Sequence, residues 1–229
     1  MSIRMSKSAI NTYEVCPFNY KNVYINKKPM SKSLWATNRG RNIHEVYEKI
    51  TKRKYGNTIT EASKKAKSEH SDIIGAVSNF TNFQRAISPD GEKIVSPILT
   101  EEKIFDPDTN IVGVVDAVYS DGRHNILVDY KSGQLKPISH YRFELALYAY
   151  LVEKVKGIKI DYWGIYFADH VIANNPRKEP ADRQEIRMSL IKVETIRNLI
   201  NMKEFPKKPK YKCSNCISFM NGYCPGVKF

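Results

Sequence analysis

The chain lacks the features that would place it in a membrane or an oxidising compartment. No apolar run approaches the roughly 20 residues that a bilayer-spanning helix needs. The opening Met1-Ser-Ile-Arg-Met-Ser carries no apolar core of the kind found in secretory leaders. A cytoplasmic location is expected, or a nuclear one if the host has a nucleus, with no membrane partner. Cysteine is scarce, at 4 of 229 residues, and in a reducing compartment these are expected as metal ligands rather than disulfides. There is no G-x4-G-K-[ST] phosphate loop, which excludes an ATP-driven motor of that kind, and no internal repeat or low-complexity block. Acidic residues are the rarer charge: 24 against 37 Lys and Arg leave +13. That excess points to a polyanionic partner; the alternative is a merely soluble Lys-rich surface.

What is present is the composition of a globular chain. A hydrophobic content of 41%, with 11% aromatic, excludes disorder, and the length suffices for one good core with room for a small satellite. Ser6 or Ser8 can cap a short helix that ends at Cys16-Pro17, because the residue before proline leaves the α region. Asn38 can cap a second helix to about Arg53, with Ile43, Val46, Tyr47 and Ile50 as its buried stripe. Residues 60–87 read as one or two further helices, broken at Pro89-Asp-Gly91. A β-rich stretch follows: Pro97–Phe105, a turn at 106–110, then two runs, Ile111–Tyr119 and Asn125–Lys131. Pro137 or Ser139 opens a helix to about Lys154, and Asp161–Ala168 is a strand that this crossover makes parallel to Asn125–Lys131. Residues 174–183 read as a polar loop, Glu185–Leu190 as a last strand and Val193–Lys203 as a last helix. One domain over 1–229 is expected, in three parts: a helical part at 1–92, a sheet core at 93–191, and a helix with a cysteine patch at 192–229.

The two central runs carry the chemistry. Between them lies Ser120-Asp-Gly-Arg123, whose Asp-Gly pair signals a hairpin. Each run has an aspartate among Val, Ile and Leu, where an unpaired charge is costly. A two-residue turn places Asp116 opposite Leu127, whereas a four-residue loop places it opposite Asp129. In either register Asp116, Asp129 and Lys131 share one face, because side chains alternate with period two. Two carboxylates within cross-strand reach repel unless a cation lies between them, and a hard divalent ion suits oxygen ligands. Asp and Lys on the solvent face of an ordinary hairpin are the competing interpretation.

Helix, hairpin, D-x-K strand, helix and strand is the order of the PD-(D/E)XK nuclease core, and the chain resembles that superfamily over nearly its whole length. It is most similar to the RecB-like exonucleases, in particular their small CRISPR-associated, iron–sulfur branch and viral relatives. Arg39-Gly40-Arg41-x-x-His44 resembles that branch's G-x3-H helix, Gly113-Val-Val-Asp116 its G-x-x-D strand, and Asp129-Tyr130-Lys131-Ser-Gly133 its D-Y-K-[TS]-G strand. Glu144-Leu-Ala-Leu-Tyr148 stands where the family has Q-x3-Y, and Cys16 with Cys213-x2-Cys216-x7-Cys224 resembles its cluster ligands. The resemblance implies an α/β fold with a restriction-endonuclease-like core, meaning a mixed central sheet flanked by helices. A helical N-terminal insertion and a C-terminal iron–sulfur patch would complete it. It implies a Mg²⁺- or Mn²⁺-dependent nuclease in which Asp116, Asp129, the backbone carbonyl of Tyr130 and His44 hold metal. Lys131 would orient water or offset phosphate charge. Without the resemblance, His44 reads as a helix histidine facing Glu48. Glu101 and Glu102 are further candidate carboxylates, with no motif behind either.

Glu144 departs from the family's glutamine. An ionised carboxylate only accepts hydrogen bonds, whereas an amide also donates, so substrate placement would change; Glu144 as a helix-surface residue, or a register off by one turn, are the other readings. At the cysteines, one C-x2-C knuckle joined by Cys224 and Cys16 suits a structural [4Fe–4S] cluster, with zinc as the alternative. Tyr20, Lys21, Tyr24, Lys27, Lys28, Trp35, Arg39 and Arg41 interleave aromatics and cations as a strand-tracking groove does. Lys207, Lys208, Lys210 and Lys212 add a second basic segment, and either set reads equally as a solvated face. Tyr148 is placed to reach DNA or to fill the core. Single-stranded DNA cut from its 5′ end is the expected substrate by resemblance. CRISPR integration proteins are candidate partners, and an oligomer is compatible with the sequence. The alternative from another class is a non-catalytic DNA-binding adaptor that delivers ends to an integrase.

Overall fold

The computed structural model describes residues 3–28, 34–171, 176–208, 213 and 216–226, without the side chains of residues 34–37. The Trp35 side chain, Lys210 and Lys212, named above as DNA contacts, lie outside the described residues. In chain order the elements are β1 (Met5–Ser6), α1 (Lys7–Val15), α2 (Pro17–Tyr20), α3 (Leu34–Thr51), α4 (Ile59–Glu69) and α5 (Ile74–Ile87). Then come β2 (Leu99–Asp106), β3 (Ile111–Ser120), β4 (Asn125–Lys131), α6 (Arg142–Leu151), β5 (Tyr162–Phe167), β6 (Arg177–Pro180), α7 (Arg183–Asn201) and α8 (Ile217–Met220). They fall into two units: Met1–Ser33 with Phe105–Val112 and Arg187–Phe229, and Leu34–Ile104 with Gly113–Ile186. No helix of the described residues is long and apolar enough to cross a membrane.

The larger unit is built on a mixed sheet. Its strands run β3-β4-β5-β6, with β2 also paired to β3. β4 and β5 are parallel, Asp129 beside Ile165 and Lys131 beside Phe167, as the α6 crossover requires. β3 and β4 are antiparallel from Ser120/Asn125 to Ala117/Val128. The hairpin loop is therefore four residues long, Asp121–His124, and the same register sets Asp116 across from Asp129. Asp121 determines this length: its Oδ1 accepts the N–H groups of Arg123 (2.8 Å) and His124 (2.7 Å), and Gly122 supplies a φ of +87°.

One face of this sheet is covered by α3, α4 and α5. The stripe Ile43, Val46, Tyr47 and Ile50 is buried as its spacing predicts, together with Phe80 of α5 and Tyr119, Val128, Tyr130 and Tyr166 of the sheet. Tyr47 stacks on Phe80 at 3.9 Å and meets Tyr130 edge-on at 5.2 Å. Asp129 and Lys131, one residue to either side of Tyr130, point the opposite way, and Glu144 of α6 lies beside Lys131. α6 passes so close to the start of β3 that a methyl on Gly113 would lie 2.9 Å from both Tyr148 Cε1 and Leu151 Cδ1.

In the smaller unit, Ser6 caps α1 by accepting the Ala9 N–H at 3.2 Å. β1 pairs in parallel with Ile111 and Val112. Tyr13 donates to the carbonyl of Glu204 at 2.5 Å. Asn22 Nδ2 donates to Ser218 Oγ at 3.3 Å, and Ser218 Oγ donates to Asn19 Oδ1 at 2.5 Å, so α8 is tied to the segment around α2. The strand expected over Glu185–Leu190 is instead the first part of α7. Asp182 Oδ1 accepts the Gln184 N–H at 2.7 Å, which starts a helix, and Ile186, Ser189, Val193, Ile196 and Ile200 are buried at helical spacing. A six-residue window was too short to show that period.

Gly113→Ala is expected to lower stability by about 1–3 kcal/mol through overpacking against Tyr148 and Leu151. Gly75→Ala in α5, where an added methyl meets nothing within 4 Å, is expected to be neutral or stabilising by up to about 1 kcal/mol. Chemical denaturation of the two variants measures both; equal effects would rule out the close approach of α6 to β3.

Candidate active site

The ladder between β3 and β4 gives way where the acidic residues begin. Tyr130 N–H is bonded by the Asp116 side chain, whose Oδ2 accepts it at 2.7 Å. The Tyr130 carbonyl lies 3.2 Å from His44 Nε2 of α3. Because the Tyr130 ring is locked in the core on the other face, where its hydroxyl lies 3.1 Å from that of Tyr119, this peptide is a fixed platform between Asp116 and His44.

His44 is the hub. Its Nδ1 lies 2.9 Å from Glu101 Oε1 and 3.5 Å from Asp116 Oδ1. With a carbonyl at one ring nitrogen and a carboxylate at the other, the surroundings favour a ring protonated on both nitrogens. Burial works against that charge, but the hydrogen bonds and charges of Asp116 and Glu101 outweigh it and raise the pKa from 6.5 to about 10. His44, Glu101 and Asp116 each offer a ligand atom within 4.8 Å of the others. Burial raises the Glu101 carboxyl, with His44 opposing.

Glu101 is the carboxylate that the sequence left level with its neighbour. The structure separates them: Glu101 faces His44, and Glu102 pairs with Lys156. Glu101 has a φ of +47°, a left-handed conformation rare for a side chain of this size and costing about 1 kcal/mol or more. The sequence carried no signal for this, because the choice depends on a backbone irregularity inside β2.

A second cluster adjoins the first. Lys131 Nζ lies 2.6 Å from Asp129 Oδ2, a charge contact off the line of a good hydrogen bond, since that oxygen has no hydrogen-bond partner among the described residues. Lys131 Nζ donates to Glu144 Oε1 at 3.2 Å. Burial disfavours the ammonium, but Asp129 and Glu144 raise its pKa. Burial, with the Asp116 charge, pushes Asp129 well above the usual carboxylate range, against Lys131. Glu144 is buried and faces this cluster, so the helix-surface and shifted-register readings of it are corrected. Tyr148 donates to Glu144 Oε1 at 3.4 Å, and its ring lies against Gly113.

The residues named as DNA contacts divide. Tyr20 is buried, stacked on Tyr24 at 4.9 Å and parallel to Phe205; that reading is corrected, because no face of its ring is left for a base. Arg39 is held by Asp169 through both guanidinium ends, and Lys21 lies over the Phe205 ring at 5.7 Å. Tyr24 and Arg41 are exposed. The four cysteines are free and half-buried. Cys16 and Cys216 stand at the N-termini of α2 and α8, but among the described residues the four thiols do not come together as one ligand group.

These features agree with what the chain matches. The family model of the PD-(D/E)XK nuclease superfamily matches residues 4–224, so the chain belongs to that superfamily. Its members are divalent-metal-dependent nucleases, and DNA is their substrate class. A crystal structure of a Eubacterium rectale protein named "Putative exonuclease" is similar, with 14% identity over 99% of this chain and 90% of that one and a TM-score of 0.55, a likeness of fold. The crystal structure of SSO0001 matches at 13% identity over 92% of this chain and 96% of that one, with a TM-score of 0.39. No curated protein matches the sequence.

Without metal, His44 stabilises the fold fully below about pH 6.5 and loses that contribution as pH rises through about 10. Asp129 acts in the same sense, since an acid whose pKa is raised by folding opposes the fold once ionised. The melting temperature of metal-free protein is expected to fall between about pH 7 and pH 9, and His44→Gln should flatten that fall. An equal slope in both proteins would assign the effect to other groups.

Proposed function

We propose that the chain is a RecB-like DNA exonuclease that takes single-stranded DNA and cuts 5′ to 3′, using Mg²⁺ or Mn²⁺ held by His44, Glu101, Asp116 and the Tyr130 carbonyl. The observation that carries the metal-dependent nuclease reading is the convergence of His44, Glu101 and Asp116 within 4.8 Å beside a Lys131 in charge contact with Asp129; strand preference and polarity rest on the resemblance. The donor set fits the ion: two carboxylates and a carbonyl suit a hard divalent cation, and His44 adds a nitrogen ligand once it has lost its proton. When bound, such an ion polarises a phosphoryl oxygen and lowers the pKa of water.

The chain's own residues do the rest. His44 gives up its proton on ligating, so metal affinity rises with pH. Asp129 stands next to the ligand group and is the further carboxylate for an ion or its water. Glu144 balances Lys131 from the far side and keeps the ammonium charged, aimed at a phosphate oxygen or the attacking water. Glu144 thus serves Lys131 in this chain. The name of the Eubacterium rectale neighbour and the motif resemblance support the exonuclease reading. Exposed members of the basic and aromatic set, such as Tyr24 and Lys27 in the smaller unit and Arg41 in the larger, are candidates to meet a strand. The resemblance further supports CRISPR spacer processing beside integration proteins.

We also propose that Cys16, Cys213, Cys216 and Cys224 hold a structural [4Fe–4S] cluster. The Asn19, Asn22 and Ser218 bonds join the segment that follows Cys16 to the one that follows Cys216.

With end-labelled single strands and Mn²⁺, Asp129→Ala and Lys131→Ala should lose cleavage about a thousandfold or more while melting near wild type. Wild-type rates in either would remove the site from consideration. Protein purified without oxygen should be brown and carry about four irons per chain. A colourless protein with one zinc would replace the cluster with a zinc site.

A further inference from the structure

The ligand group draws on elements that reach the site independently. Glu101, Asp116 and Tyr130 are positioned by strands of one sheet, but His44 comes from α3, which has no ladder to the sheet. The larger unit holds a polar clamp between α3 and the end of β4, and it centres on Asp169, two residues beyond β5. Arg39 Nη1 donates to Asp169 Oδ2 at 2.9 Å and Nη2 to Oδ1 at 2.5 Å, the two-point fork that only arginine makes. Asp169 Oδ2 also accepts the Gly133 N–H at 3.0 Å. His170 Nε2 lies 2.6 Å from the Gly133 carbonyl. Asn79 of α5 donates to the Ala168 carbonyl at 2.9 Å, and Ala168 N–H donates to the Lys131 carbonyl at 2.9 Å. Gly133 has a φ of +106°, so the chain turns sharply directly after Lys131 and is pinned on both its peptide groups. Gly40, next to Arg39, lies near the same turn: a methyl there would be in ordinary contact with Ser132 Oγ at 3.5 Å.

We propose that Asp169 is a positioning residue that locks Arg39 of α3 to Gly133, and so sets His44 against the Tyr130 carbonyl and Lys131 against Asp129. Arg39 lies five positions before His44 on one rigid helix, and Gly133 two positions after Lys131. One carboxylate therefore references both clusters to each other. Burial raises the Asp169 carboxyl, but Arg39 and the Gly133 N–H outweigh it and hold it below the usual range, so it stays ionised as the clamp needs. Nothing in the role requires Asp169 to touch metal or DNA.

The inference rests on the metal-nuclease reading, and the experiment separates the two. Three quantities are measured on the full chain: the Mn²⁺ dissociation constant by calorimetry, the metal-free melting temperature, and cleavage of single-stranded DNA against Mn²⁺ concentration. Asp169→Asn is expected to weaken Mn²⁺ binding by about ten- to hundredfold, the range for residues that orient metal ligands. Metal-free melting should shift by no more than a few degrees, and the cleavage rate should recover towards wild type at saturating Mn²⁺. Lys131→Ala, by contrast, should stay inactive at any Mn²⁺ concentration. Should Asp169→Asn fail to fold, Arg39→Lys, which keeps the charge and loses the fork, is expected to show the same shift in Mn²⁺ requirement. A wild-type Mn²⁺ constant in both variants, with wild-type protein binding Mn²⁺ and cutting DNA, overturns the positioning role alone. A wild-type protein that neither binds Mn²⁺ nor cuts DNA overturns the metal-nuclease reading and this inference with it.

Discussion

Carboxylates withdrawn from water need counter-charge, and this site is short of it. Glu101, Asp116, Asp129 and Glu144 stand as one chain of acids, with His44 and Lys131 lying directly on them. Each cation is drawn above its ordinary pKa by the acids around it, and Asp129 is pushed up by burial beside Asp116. Bases held charged by the acids around them, beside Glu101 and Asp129 raised chiefly by burial, make a cluster that favours added positive charge. In a chain whose overall balance is +13, that local deficit is a property of the site and not of the composition. A divalent cation is the species that corrects it.

The fold meets this demand by ending a regular structure at a chosen place. Ladder pairing between β3 and β4 holds down to Ala117 and Val128. Beyond it the Tyr130 peptide turns its N–H to Asp116 and its carbonyl to His44. The alternation of β4 divides the labour. Tyr130 is clamped in an aromatic core by Tyr47, Phe80 and Tyr166, while Asp129 and Lys131 face the acidic cluster. The hydrophobic helices on one face therefore fix the carbonyl that the polar face uses. Glu101 contributes from a backbone held in an unfavourable conformation, a sign that its carboxylate is aimed at a cost to the strand.

Much of this was legible from residues alone. The stripe of α3, the β4-to-β5 crossover and the shared face of Asp129 and Lys131 follow from period and turn signals, which are local. The hairpin register was not decided by Asp-Gly, because Asp121 can close either loop; its side-chain bonds to Arg123 and His124 chose the longer one. Non-local facts were out of reach. The burial of Tyr20 behind Phe205 and the capture of Arg39 by Asp169 each depend on a partner far along the chain, and the aim of Glu101 on an irregularity inside β2. Basic and aromatic residues in one stretch looked like a groove, yet several of them are spent on internal contacts.

The central claim concerns where a divalent ion sits, so the most direct measurement is a crystal of the protein grown with Mn²⁺ and read at the manganese absorption edge. The account predicts an anomalous peak within coordination distance of His44, Asp116, Glu101 and the Tyr130 carbonyl, with Lys131 outside the coordination sphere. A Mn²⁺-loaded crystal with no peak there, and His44 still bridging Glu101 and Tyr130, would contradict it.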